Sequence, residues 1–342
     1  MDNKCKGSLI FGGTHLLQFV FVSANSFFKK EFFKFAPYPL FISFMNGVFM
    51  LPLAFFVTWS AHKFKKSISF LKVPDSVWPW LLLSSLVNTF GIIVINIGFF
   101  ASALDFVLLF RLTGLFWNGI FGFLFLGERL NLLGFASLLI VLCGIILIIK
   151  DFEWTTAKLP STTQILLQMI SILLHSINLL FNKKVINILS RIETDFQLLD
   201  FLFWKSTLIL PISFLSSIFF EKIAWDNVSS IFTLKFFFWI IFGTILHQSL
   251  HVTITYVQKI TSMISMGVIA QLRVIGTLVI SHFAYNETNW NFSKLFGTVL
   301  LFSGGVLYSI SRMTMERSRS SETVNQDEEF LIDNKYKSSN LL

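Results

Sequence analysis

Charge is scarce in this chain. Asp, Glu, Lys and Arg make up 13% of its 342 residues, about half their share in ordinary soluble domains. So few charges cannot cover the surface of a soluble protein of this size. Cysteine is nearly absent. Cys5 lies in the polar N-terminal segment and Cys143 in an apolar run, which excludes a disulfide framework and a thiolate metal site. The pattern "HQSLH" at His247–His251 lacks the glutamate of the zinc motif H-E-x-x-H. No Gly-rich phosphate loop and no nucleophile–base constellation is present, so no feature supports catalysis.

What is present is apolar. Hydrophobic residues account for 54% of the chain, 43 residues are Phe, and the mean hydropathy is +0.71. These values indicate a polytopic, all-α protein of the lipid bilayer. The net charge of +8 is not a nucleic-acid footprint, because its lysines and arginines sit mostly in loops and at helix ends, where they set orientation. Lys4 and Lys6 give the N-terminus the charge of a signal peptide. The apolar run that follows is too long for one and has no small-residue cleavage pattern, so it reads as the first membrane helix.

Apolar runs of about 17–25 residues mark membrane helices. Ten are expected, near 8–28, 38–60, 77–99, 103–126, 132–149, 161–182, 198–220, 235–257, 261–284 and 294–312. The polar tail, 313–342, reads as disordered and cytosolic. With the N-terminus in the cytosol, inside segments hold about twice the Lys and Arg of outside segments, which favours both termini inside. The sequons at Asn227, Asn286 and Asn291 all fall in the expected outside loops.

The halves resemble each other. Shifting the second over the first aligns "FRLTGLFWNGIFGFLFLGERL" (Phe110–Leu130) with the run that ends at Glu287, so that Glu128 falls on Glu287. Arg111 and Arg273 miss each other by three positions, about one helical turn. "SANSFFKKEFF" (Ser23–Phe33) likewise resembles "SINLLFNKKVI" (Ser176–Ile186). Five helices per copy is an odd number, so the second copy enters the membrane from the opposite side. The expected architecture is a 5+5 inverted-topology repeat, residues 1–150 and 151–312, a common transporter plan with its substrate site near the midplane.

The closing Gly-Glu-Arg-Leu of Phe110–Leu130 resembles the fourth-helix motif of the drug/metabolite transporter superfamily (EamA-like). "QLRVIGTLVISHFAYNET" (Gln271–Thr288) and "FGTVLLFSGGVLYS" (Phe296–Ser309) resemble the ninth and tenth helices of its nucleotide-sugar and triose-phosphate branches. The resemblance implies alternating-access exchange or facilitated transport without a bound cofactor. It also implies an anionic small-molecule substrate, such as a nucleotide sugar or related organophosphate, and an endomembrane location. Arg273 matches the ninth-helix arginine of those branches, with Leu272 and Val274 beside it. Lys183 and Lys184 resemble their sixth-helix lysine pair, and Lys29 and Lys30 the first-helix pair.

The candidate substrate ligands are therefore Arg273, Arg111, Lys183, Lys184, Gln271 and Asn178. Arginine suits a bidentate grip on phosphate or carboxylate, and an intramembrane charge marks a functional site by default. Lys29 and Lys30 read as flanking charge, Lys205 as a side chain able to snorkel, and His175, His247 and His251 as pore lining or helix-to-helix hydrogen bonding, with proton coupling as the alternative. Glu128 and Glu287 organise turns, and the glycines at 134, 144, 297, 304 and 305 permit close helix packing. "DEEFLI" (Asp327–Ile332) fits an acidic dileucine signal for a sorting adaptor. A homodimer is allowed. Two other readings stay open: a transporter of a non-phosphorylated solute (amino acid, vitamin or drug-like cation) in the endolysosomal membrane, and a non-transporting membrane scaffold or receptor.

Overall fold

The computed structural model describes residues 3–65, 72–102, 104–128, 131–150, 161–192, 198–261 and 291–308 without 294, and some of 270–283 and 310–314. Among them there is no strand, as a bilayer-spanning chain requires when every backbone polar group is satisfied within its own helix. The helices are α1 (Asn3–Phe35), α2 (Pro39–Lys65), α3 (Trp78–Ala101), α4 (Leu104–Arg111), α5 (Gly114–Leu126), α6 (Leu132–Lys150), α7 (Ser161–Leu189), α8 (Leu198–Phe220), α9 (Lys222–Asp226), α10 (Val228–Ile231) and α11 (Leu234–Ile260). A further apolar helix, α12, covers Leu295–Tyr308. Among the described residues five helices, α2, α3, α7, α8 and α11, are long and apolar enough to cross a membrane.

Two features depart from the expected spans. The run 103–126 is not one helix. It breaks after Arg111 and restarts at Gly114, with Leu112 and Thr113 in a turn. The Thr113 hydroxyl donates to the Phe110 carbonyl oxygen at 2.8 Å, a local bond of the kind that competes with helix continuation. The connection between α8 and α11 holds the two short helices α9 and α10 in place of a plain loop.

Sequence chemistry sets several of the ends. Asn131 caps α6, its side-chain oxygen accepting from the Gly134 N–H at 2.7 Å, and Thr233 caps α11 through the Phe236 N–H. Gly127 closes α5 at φ 65°, a left-handed conformation that glycine adopts without a Cβ clash.

Helices pack in antiparallel pairs, α1 on α11, α2 on α8, and α3 on α7. Ser84 of α3 meets Asn182 of α7, and Gly98 farther along α3 meets Gln168 farther back on α7. On the outer pair, Phe32 stacks with Trp239 and Gln18 reaches the Thr253 carbonyl. In α6 and α12 the backbones touch. A Cβ on Gly144 would meet the Gly297 carbonyl oxygen at 2.7 Å, and one on Gly304 the Ser137 oxygen at 3.0 Å. Small residues permit this approach, which supplies the dispersion contact that lipid cannot outcompete.

Helices α2 and α8 are clasped at both ends. At one, the Glu221 carboxylate accepts from the Leu40 and Phe41 N–H groups at 2.8–3.1 Å, capping α2 from the far end of α8. Burial pushes the Glu221 carboxyl up from its ordinary range, and these backbone bonds pull the other way. At the opposite end, buried His62 meets buried Asp200 at 2.8 and 2.9 Å, and the Thr58 hydroxyl donates to the Leu199 carbonyl.

Polarity lies inside. On α3, Ser84, Ser85, Asn88, Thr89 and Asn96 are buried while Leu82, Leu83, Leu86 and Phe90 are exposed. That arrangement suits a solvent of lipid, in which a polar group left outside has no partner.

Candidate functional site

The buried polar faces converge on a cavity of about 170 Å³, larger by an order of magnitude than a single water needs. It is walled by α1, α3, the α4–α5 break, α7, α11 and the chain around Arg273. Six basic side chains line it: Lys29, Arg111, Arg273, His175, His247 and His251. No Asp or Glu does so among the described residues. Asn25, Asn88, Asn118, Asn178 and Ser171 complete the polar lining, and Ile92, Ile95 and Leu250 are part of its apolar surface.

Arg111 reaches the cavity because its helix ends there. The guanidinium carbon sits 5.1 Å from the centre of the Phe99 ring, a cation–π distance. Among the described residues it makes no hydrogen bond to protein. The next residue in helical conformation, Gly114, also lines the cavity, so the N-terminus of α5 opens onto the same space. Broken helices whose ends face a midplane cavity are a recurring device for holding ions in transporters.

Arg273 comes from the chain beyond α11. It is buried, and its Nη1 donates to the Gln18 side-chain oxygen at 3.0 Å. Gln18 also donates to the Thr253 carbonyl. Ser23 and Thr277, one turn beyond each, meet at 2.8 Å. These contacts tie the guanidinium to α1 through Gln18, which is itself held to α11.

Lys29 is buried, not flanking. Its ammonium donates to Asn96 Oδ1 at 2.7 Å and lies 5.7 Å from the Phe99 ring centre. Asn96 in turn donates to the Ser43 hydroxyl. Lys29 and Arg111 therefore both lie against the Phe99 ring. Lys30 turns away and donates to the Ser102 carbonyl at 3.1 Å.

Asn178 lines the cavity on one side and holds Lys205 on the other. The Lys205 ammonium, buried and not snorkelling, donates to Asn178 Oδ1 at 2.7 Å and Asn182 Oδ1 at 3.1 Å. Ser84 donates to the same two oxygens, and Asn178 Nδ2 donates to Asn88 Oδ1 at 3.0 Å.

The lysine pair of α7 is placed elsewhere. Lys183 donates to the Gln258 and Thr261 carbonyls, both at 2.6 Å, and so caps the C-terminal end of α11, where a cation is favoured. Lys184 lies over the Trp80 ring at 5.1 Å. Neither lines the cavity. Gln271 and Glu287 lie outside the described residues, as do the Asp327–Ile332 segment and Asn286.

Of the expected ligands, then, Arg111, Arg273 and Asn178 meet at one cavity. The histidines line it as expected. Lys29 and Lys205 are the residues that sequence reasoning set aside; the signal available was Asn96 and Asn182, amides able to receive a buried ammonium.

The fold is a known one. A solved structure described only as "Crystal structure of protein" superposes on this chain with a TM-score of 0.63, covering 89% of this chain and 97% of the other at 11% identity. That identity speaks to fold alone, and the coverage makes the likeness one of whole chains. No family model matches the sequence, and no curated protein matches it.

Proposed function

We propose that this chain is a secondary transporter, not an enzyme, that moves an anionic small metabolite across an endomembrane by alternating access. A nucleotide sugar or related organophosphate is the substrate class that fits best. The observation that carries this reading is the charge of the cavity. Lys29, Arg111 and Arg273 line it with no described carboxylate among them. Several cations in a low-dielectric space repel one another, and each carries a desolvation cost of several kcal/mol. An anion in the cavity offsets both terms, and the planar guanidinium of Arg111, without a protein hydrogen bond among the described residues, is suited to grip phosphate through two parallel bonds.

The ten-span, 5+5 reading accounts for the packing. In that numbering α1, α2, α3, α7, α8 and α11 are the first, second, third, sixth, seventh and eighth spans. Exchanging each span with the one five away turns the first–eighth pair into the sixth–third pair, and the second–seventh pair into itself. All are packed pairs. The α6–α12 contact, fifth with tenth, also maps onto itself. A pseudo-two-fold axis between inverted halves supports a substrate site at their interface.

The test is transport by the full chain in proteoliposomes against a competition panel of nucleotide sugars, sugar phosphates, amino acids and organic cations. Anions should compete, and Arg273→Ala should lose uptake while still reaching the membrane. Competition by cations with none by anions, or normal uptake in Arg273→Ala, overturns the reading.

A further inference from the structure

One turn apart on α11, His247 and His251 both line the cavity. Their Nε2 atoms lie 3.0 Å apart, with ring centres 4.4 Å apart at 77°. Two imidazole nitrogens at that distance hold one proton between them, one ring donating and the other accepting. His247 Nδ1 is buried without a hydrogen-bond partner among the described residues. The pair is therefore not a saturated structural bridge, and it retains a ring nitrogen that can change its proton.

The groups facing this pair come from every side. Lys29 on α1, Arg111 at the end of α4, His175 on α7, Lys205 on α8, and Arg273 are its charged or titratable neighbours, while α3 presents the neutral Asn88. All are bases, and no described Asp or Glu lines the space they share. A proton added to the pair meets like charge in the empty cavity. An anion in the cavity reverses the sign of that interaction. Any ligand that changes the local field in this way is thermodynamically linked to the proton, and the linkage is reciprocal.

We propose that His247 and His251 form a proton-coupling site, at which the cavity takes up one proton from bulk water with each anion that binds. The protein then carries the proton and the anion together, and a proton gradient drives the anion. The inference rests on the anion reading above, and it adds the ion that drives the movement. The proton is stored on an imidazole of the pair as an imidazolium beside the bound anion, and it leaves with the anion when the cavity opens to the other face.

The test is titration calorimetry of the full chain in detergent, with UDP-glucose and inorganic sulfate as probes. Neither probe changes its own charge across neutral pH. Repeating the titration in buffers of different ionisation enthalpy counts the protons taken up. The wild type should take up about one proton per anion, and its apparent Kd should weaken up to about tenfold per pH unit as pH rises. In the double substitution His247→Asn, His251→Asn, binding should persist with proton uptake lost, and a cooperative thermal transition shows that the variant is folded. Anion binding without proton uptake in the wild type, or uptake unchanged in the double variant, overturns the coupling and leaves the anion reading intact. Failure of both probes to bind the wild type overturns the anion reading and this inference with it.

Discussion

Replacing Arg111 by methionine separates a ligand-binding charge from a structural one, because the two roles predict opposite changes in the empty protein. In the folded chain the guanidinium stacks on Phe99 at 5.1 Å, a contact of about 0.5–2 kcal/mol. It makes no described hydrogen bond to protein, so methionine leaves no buried acceptor unsatisfied. Against the lost contact stands relief of desolvation, several kcal/mol for a fully buried ion and less here, where Arg111 is half-buried. Repulsion from Lys29 and Arg273 in the same cavity is relieved as well. The empty Arg111→Met protein should therefore melt at the wild-type temperature or above it. Anion binding should suffer. Two charge-assisted hydrogen bonds are worth about 3–6 kcal/mol together, roughly 10²–10⁴-fold in Kd. Thermal unfolding followed by tryptophan fluorescence, with and without UDP-glucose, measures both quantities. A clear fall in the melting temperature of the empty variant would refute the reasoning, since Arg111 would then be a structural residue. So would unchanged affinity.

Lys205 tests the same physics where the ammonium is fully engaged. Lys205→Met removes a buried cation while Asn182 Oδ1 keeps the 2.7 Å bond from the Ser84 hydroxyl, so the lost bond to Asn178 Oδ1 and the relieved desolvation oppose each other, and stability measured by thermal unfolding should change by no more than about 1 kcal/mol. Asn178→Leu, which leaves the ammonium with Asn182 Oδ1 as its acceptor, should cost about 1–3 kcal/mol, and the double variant should recover most of that loss; no recovery refutes the account. For Glu221, burial raises the folded carboxyl above its unfolded value, so the native state binds the proton more tightly. Its stabilising effect is fully present below the unfolded value and is lost as pH rises through the folded one. The melting temperature of the wild type should then fall relative to Glu221→Gln over that interval, and a relative rise contradicts the assignment.

The helices were legible in the sequence, and which way they face was not. Apolar length alone placed α2, α3, α7, α8 and α11. In a soluble helix, the alternation of apolar and polar residues gives the buried face. Here both faces are apolar, one toward lipid and one toward protein. On α8, for example, exposed Phe214, Leu215, Phe219 and Phe220 alternate with buried Ser206, Ser213 and Ser217. The informative residues are the sparse polar ones, and several of them gather in one place. Arg111, Arg273, Asn178 and the three histidines converge on one cavity. Lys29 was misread because its position near a helix end suggests an interface, whereas α1 continues to Phe35 and carries the ammonium inward to Asn96. Lys183 was misread because resemblance transfers a residue's position and cannot transfer the carbonyls it finds there. The break after Arg111 had only Thr113 and Gly114 to announce it.

The two clasps between α2 and α8 restrict how the molecule can move. A slide of one helix past the other by a single turn, about 5.4 Å, would pull Glu221 off the Leu40 and Phe41 amides and part His62 from Asp200 at once. Rotation about the line joining the clasps breaks neither. The pair therefore acts as a hinge pin. The degree of freedom left to the rest of the bundle is a tilt about it, the kind of rocking that the proposed alternating access calls for.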